Sequence, residues 1–516
     1  MKKQTFIQGG LILAAMGFIS KFIGIFFRFP MTVMIGDEGM GYYQLVFPIF
    51  GIFIAIASGI PIALSKIISE NNDTGKEGDN IPLVKISTII LIVLAIISAM
   101  IIFILKDFLI RKFSWDPKVI YSIMAISIAP IFIAIINPIR GYFQGYKNMN
   151  ATAISQFLEQ LGRVVFGVGL GILFLSKGIE FAAGGAILGV AIGGLIASVY
   201  LIFKFKKSKP NGLKRQVTSN GKLIKIIIFT ATPIAISAIV VSLLGFIDTL
   251  IIPRQLGIAG FSQSETTILF SQFSGKAMTL THIPLTLSIA ISSALVPTIS
   301  SSKASNNKRE LSSNIGTSFK ACFVIALPCT FGLFCLAEPI MATLFPGNSG
   351  GAEILKYLSF TIPFLVVSQI TTAILQGLGH MKTPLINTLI GSAIKFVLTF
   401  ILVAQKNINI EGAVIGSLVG YGIMAILNLG CLKFYTNFKV KWSEILFKPL
   451  LVSLIMMIVA LGSFLVLIDI IKIVQVTCLI SIGLGGLTYI ILSFVVKIFN
   501  YDYIADRARE RVSHRA

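Results

Sequence analysis

The chain has 516 residues, 55% hydrophobic and 12% charged, with a mean hydropathy of +0.90 and a formal charge of +22. A soluble domain carries roughly 25% charged residues, so this composition excludes a soluble globular protein. The basic residues lie between the apolar runs instead of in one exposed patch, which excludes a nucleic-acid surface.

Apolar runs long enough to cross a ~30 Å hydrocarbon core recur along the whole chain. They predict helices over 6–34, 43–69, 83–105, 118–144, 150–175, 180–204, 222–252, 264–300, 313–340, 352–377, 383–404, 411–434, 444–468 and 473–498. The expected fold is therefore an all-α polytopic membrane protein with about fourteen spans. The first run holds Lys21 and Arg28 and is about twice as long as a signal-peptide core of roughly 7–15 residues, so it reads as a retained helix.

Fourteen spans put both termini on one side of the membrane. Of the 43 Lys and Arg residues, 29 fall in or beside the loops on that side and nine on the other. By the positive-inside rule both termini are cytoplasmic, in a cell membrane. The segment 106–117 resists, because it should be outside yet holds Lys106, Arg111 and Lys112.

An internal repeat organises the chain. Gly24 and Gly36 match Gly245 and Gly257 at an offset of 221, and Pro48 and Pro61 match Pro284 and Pro297 at 236. Gln144, Gly145, Met149 and Arg163 match Gln376, Gly377, Met381 and Lys395 at 232, and Gly185 and Gly189 match Gly412 and Gly416 at 227. Six helices is an even number, so the repeats are parallel, related by an axis along the membrane normal, with the transport path between them. The expected organisation is an N-lobe over 1–203, a basic cytoplasmic linker over 204–221, and a C-lobe over 222–436. Two further helices follow over 437–498, with a basic tail over 499–516.

Cys322, Cys329, Cys335, Cys431 and Cys478 fall in or beside apolar segments without metal-like spacing, and His282, His380 and His514 are too scattered for a metal site. No phosphate-binding loop or catalytic grouping is present, which predicts neither a cofactor nor an enzyme activity.

The charges within the spans are the candidate site. Each costs at least ~2.5–3.5 kcal/mol at a helix centre and so calls for a cavity or a partner. Lys21 and Arg28 are two helical turns apart and share a face. Lys21 lies ~22 Å and Arg28 ~33 Å from the cytoplasmic end, so Arg28 either faces a cavity or snorkels to the outer headgroups. Glu159 and Arg163 have the spacing of a helical ion pair. Lys395, at the position equivalent to Arg163, has Gly391 in place of the acid. Lys276 begins the apolar part of its helix, with cavity and interface readings both open. Asp248 either pairs with Lys276 or Lys395 or binds a coupling cation, H+ or Na+. Five deep cations against two deep acids suit an anionic, pyrophosphate-like substrate better than a cationic drug.

The stretch Arg140 to Gln156 (RGYFQGYKNMNATAISQ), continuing through Glu159, Gln160, Arg163 and Val164, resembles the stage V sporulation protein B family. So do the opening from Lys3 to Gly9, the series Lys21, Gly24, Arg28, Gly36, and Leu295-Val296-Pro297. That family lies within the multidrug/oligosaccharidyl-lipid/polysaccharide exporter superfamily. The resemblance implies a V-shaped two-lobe carrier in a spore-forming bacterium, and a lipid-linked cell-wall precursor such as lipid II as cargo. Lys21 departs from the expected Arg, which keeps the charge but gives up bidentate geometry. A multidrug or cation antiporter of the same superfamily is the alternative. A major-facilitator carrier is disfavoured because 65–82 lacks that family's Asp-Arg-rich motif, and a non-transporting scaffold by the intramembrane charges.

Overall fold

The computed structural model describes residues 6–208, 218–305, 307–437 and 443–498. Most of the basic linker and the whole C-terminal tail lie outside the described residues. Helix occupies every one of the fourteen apolar stretches. Among the described residues, ten helices are long and apolar enough to span a membrane, and an eleventh span forms if the pair Ala352–Leu358 and Thr361–Gly377, bent by 43°, counts as one. The chain is an all-α polytopic membrane protein, folded as two compact units, 1–271 and 272–516.

In the first unit, α1 runs from Phe6 to Asp73 and breaks only at Gly36, with φ 70° and ψ −177°. That left-handed backbone suits a residue without a Cβ. The rings of Phe27 and Tyr43 are 5.5 Å apart, although sixteen residues of straight helix would separate them by ~24 Å. The chain therefore reverses at Gly36, and the expected loop over 35–42 shrinks to one residue. Next, α2 (Asn80–Lys112) is longer than expected. Its 33 residues measure ~50 Å against a ~30 Å core, so the unexpected cations Lys106, Arg111 and Lys112 form its overhanging last turns, not a loop. Cations are favoured at a helix C-terminus.

The remaining helices of this unit are α3 (Ile120–Ile126), α4 (Ala129–Gly145), α5 (Met149–Leu175), α6 (Ile179–Ser208), α7 (Asn220–Ile258) and α8 (Gln263–Phe270). The α5–α6 contact is made backbone to backbone through glycines. A methyl on Gly193 would fall 2.3 Å from the Glu159 carbonyl oxygen, and one on Gly189 would fall 2.4 Å from the Gly167 Cα. Gly185, Gly189 and Gly193 are spaced every fourth residue along one α6 face, the small-residue pattern that lets membrane helices approach closely. The buried Trp115 donates to the Thr249 carbonyl at 3.2 Å and ties the turn before α3 to α7.

A π-helical stretch (Ser271–Ala277) begins at the last residue of the first unit and leads, in the second, into α9 (Met278–Ala304), followed by α10 (Lys308–Cys335), α11 (Ala337–Leu344), α12 (Ala352–Leu358) and α13 (Thr361–Gly377). After them come α14 (Lys382–Val403), α15 (Glu411–Thr436), α16 (Lys448–Ile471) and α17 (Val474–Val495). The α14–α15 contact uses the same device as α5–α6. A methyl on Gly420 would lie 2.6 Å from the Lys395 Cβ, and one on Gly416 would lie 2.5 Å from the Thr399 Oγ1. Asn387 donates to Asn428 Oδ1 at 2.8 Å, and Asn428 donates to Ser368 Oγ at 3.2 Å, joining α13, α14 and α15 through a buried polar network. The core of this unit gathers Ile299, Ile315, Phe319, Ile362, Ile370 and Ile374. Tyr489 on α17 reaches the Val324 carbonyl of α10 at 2.9 Å.

One repeat marker shifts in register. Gly145 packs on the Ser65 carbonyl and Ile68, and Gly377 packs on the Val296 carbonyl and Ile299. These contacts match Ser65 to Val296 at an offset of 231, not the 236 given by the prolines. Packed glycines report helix contact directly, whereas prolines are tolerated at several depths in a membrane helix.

Candidate functional site

The first unit concentrates cations and aromatics where the two arms of α1 meet α5. The reversal at Gly36 lays Phe27 and Arg28 beside Tyr43 and Phe47. Gly167 on α5 approaches Phe27 so closely that an added methyl would lie 2.8 Å from its ring. Arg163, one turn before Gly167, donates from Nη2 to the Tyr43 hydroxyl and lays its guanidinium over the Phe47 ring, 4.5 Å from the centroid. Tyr43 and Phe47 stack at 5.3 Å. Arg28 stands within electrostatic reach of Tyr43 and Arg163. Arg163 thus contacts the tyrosine directly, with Arg28 as a second cation within electrostatic reach. The Nε of Arg163 is also buried, with no hydrogen-bond partner among the described residues.

The expected Glu159–Arg163 pair does not form. Glu159 Oε2 instead accepts from Arg140 Nη2 at 2.8 Å, and Arg140 Nε donates to Ser155 Oγ at 2.8 Å. A helical i,i+4 spacing only permits a pair; here the α4–α5 turn brings Arg140 closer to the carboxylate. Arg140 was legible as part of the sequence motif but not as a partner, because nineteen residues separate the two charges. Tyr43 and Phe47 carried no signal beyond hydrophobicity.

The other expected site residues are each described within their own unit. Lys21 belongs to α1, and its side chain lies outside the described residues. Asp248 is half-buried on α7. Lys276 is buried in the π-helical stretch and donates to the carbonyls of Asn348 and Gly350, the latter at 3.3 Å, with the Phe345 ring 5.0 Å away. Its ammonium thereby braces the 345–351 turn. Lys395 is buried on α14, its ammonium 5.5 Å from the Tyr421 ring. Among the described residues no cluster of His, Cys, Asp or Glu could hold a metal ion.

The arrangement can hold an anion at the Arg163 guanidinium, whose aromatic neighbours exclude water and so strengthen charge-assisted hydrogen bonds, with the Arg28 charge nearby. Among the described residues the site contains no nucleophile beside a base.

Stage V sporulation protein B of Bacillus subtilis (strain 168) is 29% identical over 83% of each chain. The lipid II flippase MurJ of the same organism is 27% identical over 80% of each chain. Among solved structures, lipid II flippase MurJ in its inward closed conformation matches with a TM-score of 0.70 at 17% identity, covering 94% of this chain and 98% of that one. An inward-facing multidrug resistance MATE family transporter of the MOP superfamily matches at 0.66 and 18% identity, covering 81% of this chain and 94% of that one. These two likenesses show the fold. A MatE family match covers residues 233–401. The polysaccharide biosynthesis protein family matches residues 6–303, more than half of the chain. This multi-pass membrane protein therefore belongs to the polysaccharide biosynthesis protein family.

Proposed function

We propose that the chain is a flippase that moves a lipid-linked anionic oligosaccharide, a peptidoglycan precursor of the lipid II type, across the cytoplasmic membrane during spore or cell-wall synthesis. It acts as a transporter and not as an enzyme, with both termini cytoplasmic and six-helix lobes in parallel repeat. The observation that carries the reading is Arg163, set against Tyr43 and Phe47 with its Nε buried and without a hydrogen-bond partner among the described residues, and with Arg28 within electrostatic reach. A pyrophosphate brings about two negative charges, and guanidiniums match its oxygens bidentately. The relatives named for lipid II flipping and sporulation support the cargo class. Lys21, Lys276 and Lys395 remain proposed contacts as intramembrane cations, and Asp248 a proposed site for a coupling ion.

Alternating access would use α1, which carries Pro30, Pro48 and Pro61 as well as the Gly36 reversal. The second reading, a multidrug or cation antiporter, draws on Asp248 and on the MatE match over 233–401. The deciding experiment depletes the protein and identifies what accumulates on the cytoplasmic leaflet. A lipid-linked precursor is expected. Unchanged precursor levels together with lost drug efflux would favour the antiporter.

A further inference from the structure

A cleft of about 450 Å³ opens on the first unit, away from the Arg28–Arg163 site. Its walls are Tyr121, Met124 and Ile128 from α3 and the turn after it, Phe174 near the end of α5, and Phe181 and Leu188 of α6. Gly184 and Gly185 also line it, where α6 packs closely on Tyr121 and on Leu170 and Phe174, and α3 stops beside it at Ile126. Tyr121 and Phe181 meet at 4.3 Å and close one end. Tyr121, Met124 and Ile128 are all exposed, so in a bilayer the cleft opens toward lipid.

Lys177 is the single charged residue among those lining the cleft. It is exposed at the rim, with its ammonium 5.6 Å from the Phe174 ring. Lys118 is also exposed and precedes Tyr121 by three residues in continuous helical backbone, which puts it on the same face. An apolar cleft with cations at its mouth is complementary to a lipid whose phosphate sits at the headgroup level. Size narrows the choice. At roughly 30 Å³ for each water-sized group, the cleft takes about fifteen methylenes, the size of one acyl chain.

We propose that this cleft is a binding site for an anionic phospholipid, with one acyl chain between α3 and α6 and the phosphate at Lys177 and Lys118. It is separate from the cargo site and does not depend on what the cargo is.

The test uses the full-length protein in detergent and measures lipid retention by native mass spectrometry. The probes are phosphatidylglycerol, phosphatidylcholine and soluble glycerol phosphate. Phosphatidylglycerol should be retained at least fivefold better than phosphatidylcholine, and glycerol phosphate should not bind. The double variant Lys118→Gln/Lys177→Gln should lose that preference, and Met124→Trp, which fills the cleft, should lower retention of both lipids. Both changes lie at exposed positions, and the melting temperature of each variant checks its folding. Equal retention of the two phospholipids, binding of glycerol phosphate alone, or an unchanged preference in the lysine variant would each overturn the proposal. So would full lipid retention by a folded Met124→Trp.

Discussion

Arg163 on α5 hydrogen-bonds to the Tyr43 hydroxyl on the returning arm of α1, although 120 residues separate them. The contact depends on two glycine features. Gly36 turns the chain back, and Gly167 lets α5 come close enough to α1 for the guanidinium to reach.

Substitutions at this contact should separate charge from geometry. Arg163→Ala should severely impair precursor flipping, and Arg163→Lys should restore only part of it, because an ammonium cannot both fork to an anion and lie flat on Phe47. Tyr43→Phe removes one hydrogen bond to a charged group, worth ~1.5–3 kcal/mol, and should lower flipping by about tenfold or more. The measurement is complementation of a depleted strain beside an assay of precursor on the outer leaflet. Wild-type flipping by Arg163→Ala would remove the main support for an anionic cargo.

The lysines are expected to rank differently. Lys21→Ala should abolish or severely impair flipping while expression and insertion persist, whereas Lys21→Arg should be tolerated because the charge is kept. Lys395→Ala should act in the same direction but less strongly. If Lys21→Ala and Lys395→Ala both flip precursor at the wild-type rate, the cationic mechanism is wrong and Asp248 becomes the residue to test.

Arg140 and Glu159 should behave as a coupled pair. Glu159 is partly accessible, its side chain 28% exposed, so breaking the pair should cost about 1–3 kcal/mol and not the full penalty of a buried charge. Glu159→Gln and Arg140→Gln should each lower the melting temperature, and the double variant should lose less than the sum. Strict additivity in that cycle would show that the 2.8 Å contact contributes nothing.

The glycine contacts predict steric failure at equivalent places in the two units. Gly193→Val and Gly420→Val each force a side chain into the facing helix and should destabilise by about 1–3 kcal/mol or more. Gly462→Val, on α16 with open space around it, should be neutral. Thermal aggregation in detergent reads all three, and equal melting temperatures would show that the close contacts do not hold the helices.

Cysteine labelling in cells tests topology. Residues in 209–217 and in the tail after Asn500 should be reached only from the cytoplasm, and Lys112 and Lys472 only from outside. Outside labelling of the basic linker would overturn the number of spans.

The amino-acid sequence by itself determined where the helices lie. A span is a local property: about twenty apolar residues must bury their own backbone hydrogen bonds in a helix, whatever surrounds them. The glycine repeats of α6 and α15 were legible for a related reason, since close helix contact in lipid requires small residues at a fixed spacing. Tertiary structure decided the rest. The span boundaries around Gly36 and Lys112 moved because helix continues wherever backbone geometry permits it, not only where side chains are apolar. Glu159 took Arg140 over the nearer Arg163, and Lys276 took the carbonyls of Asn348 and Gly350. A charge in a low-dielectric interior binds whichever partner the packing brings within reach, and that distance is set in space, not along the chain.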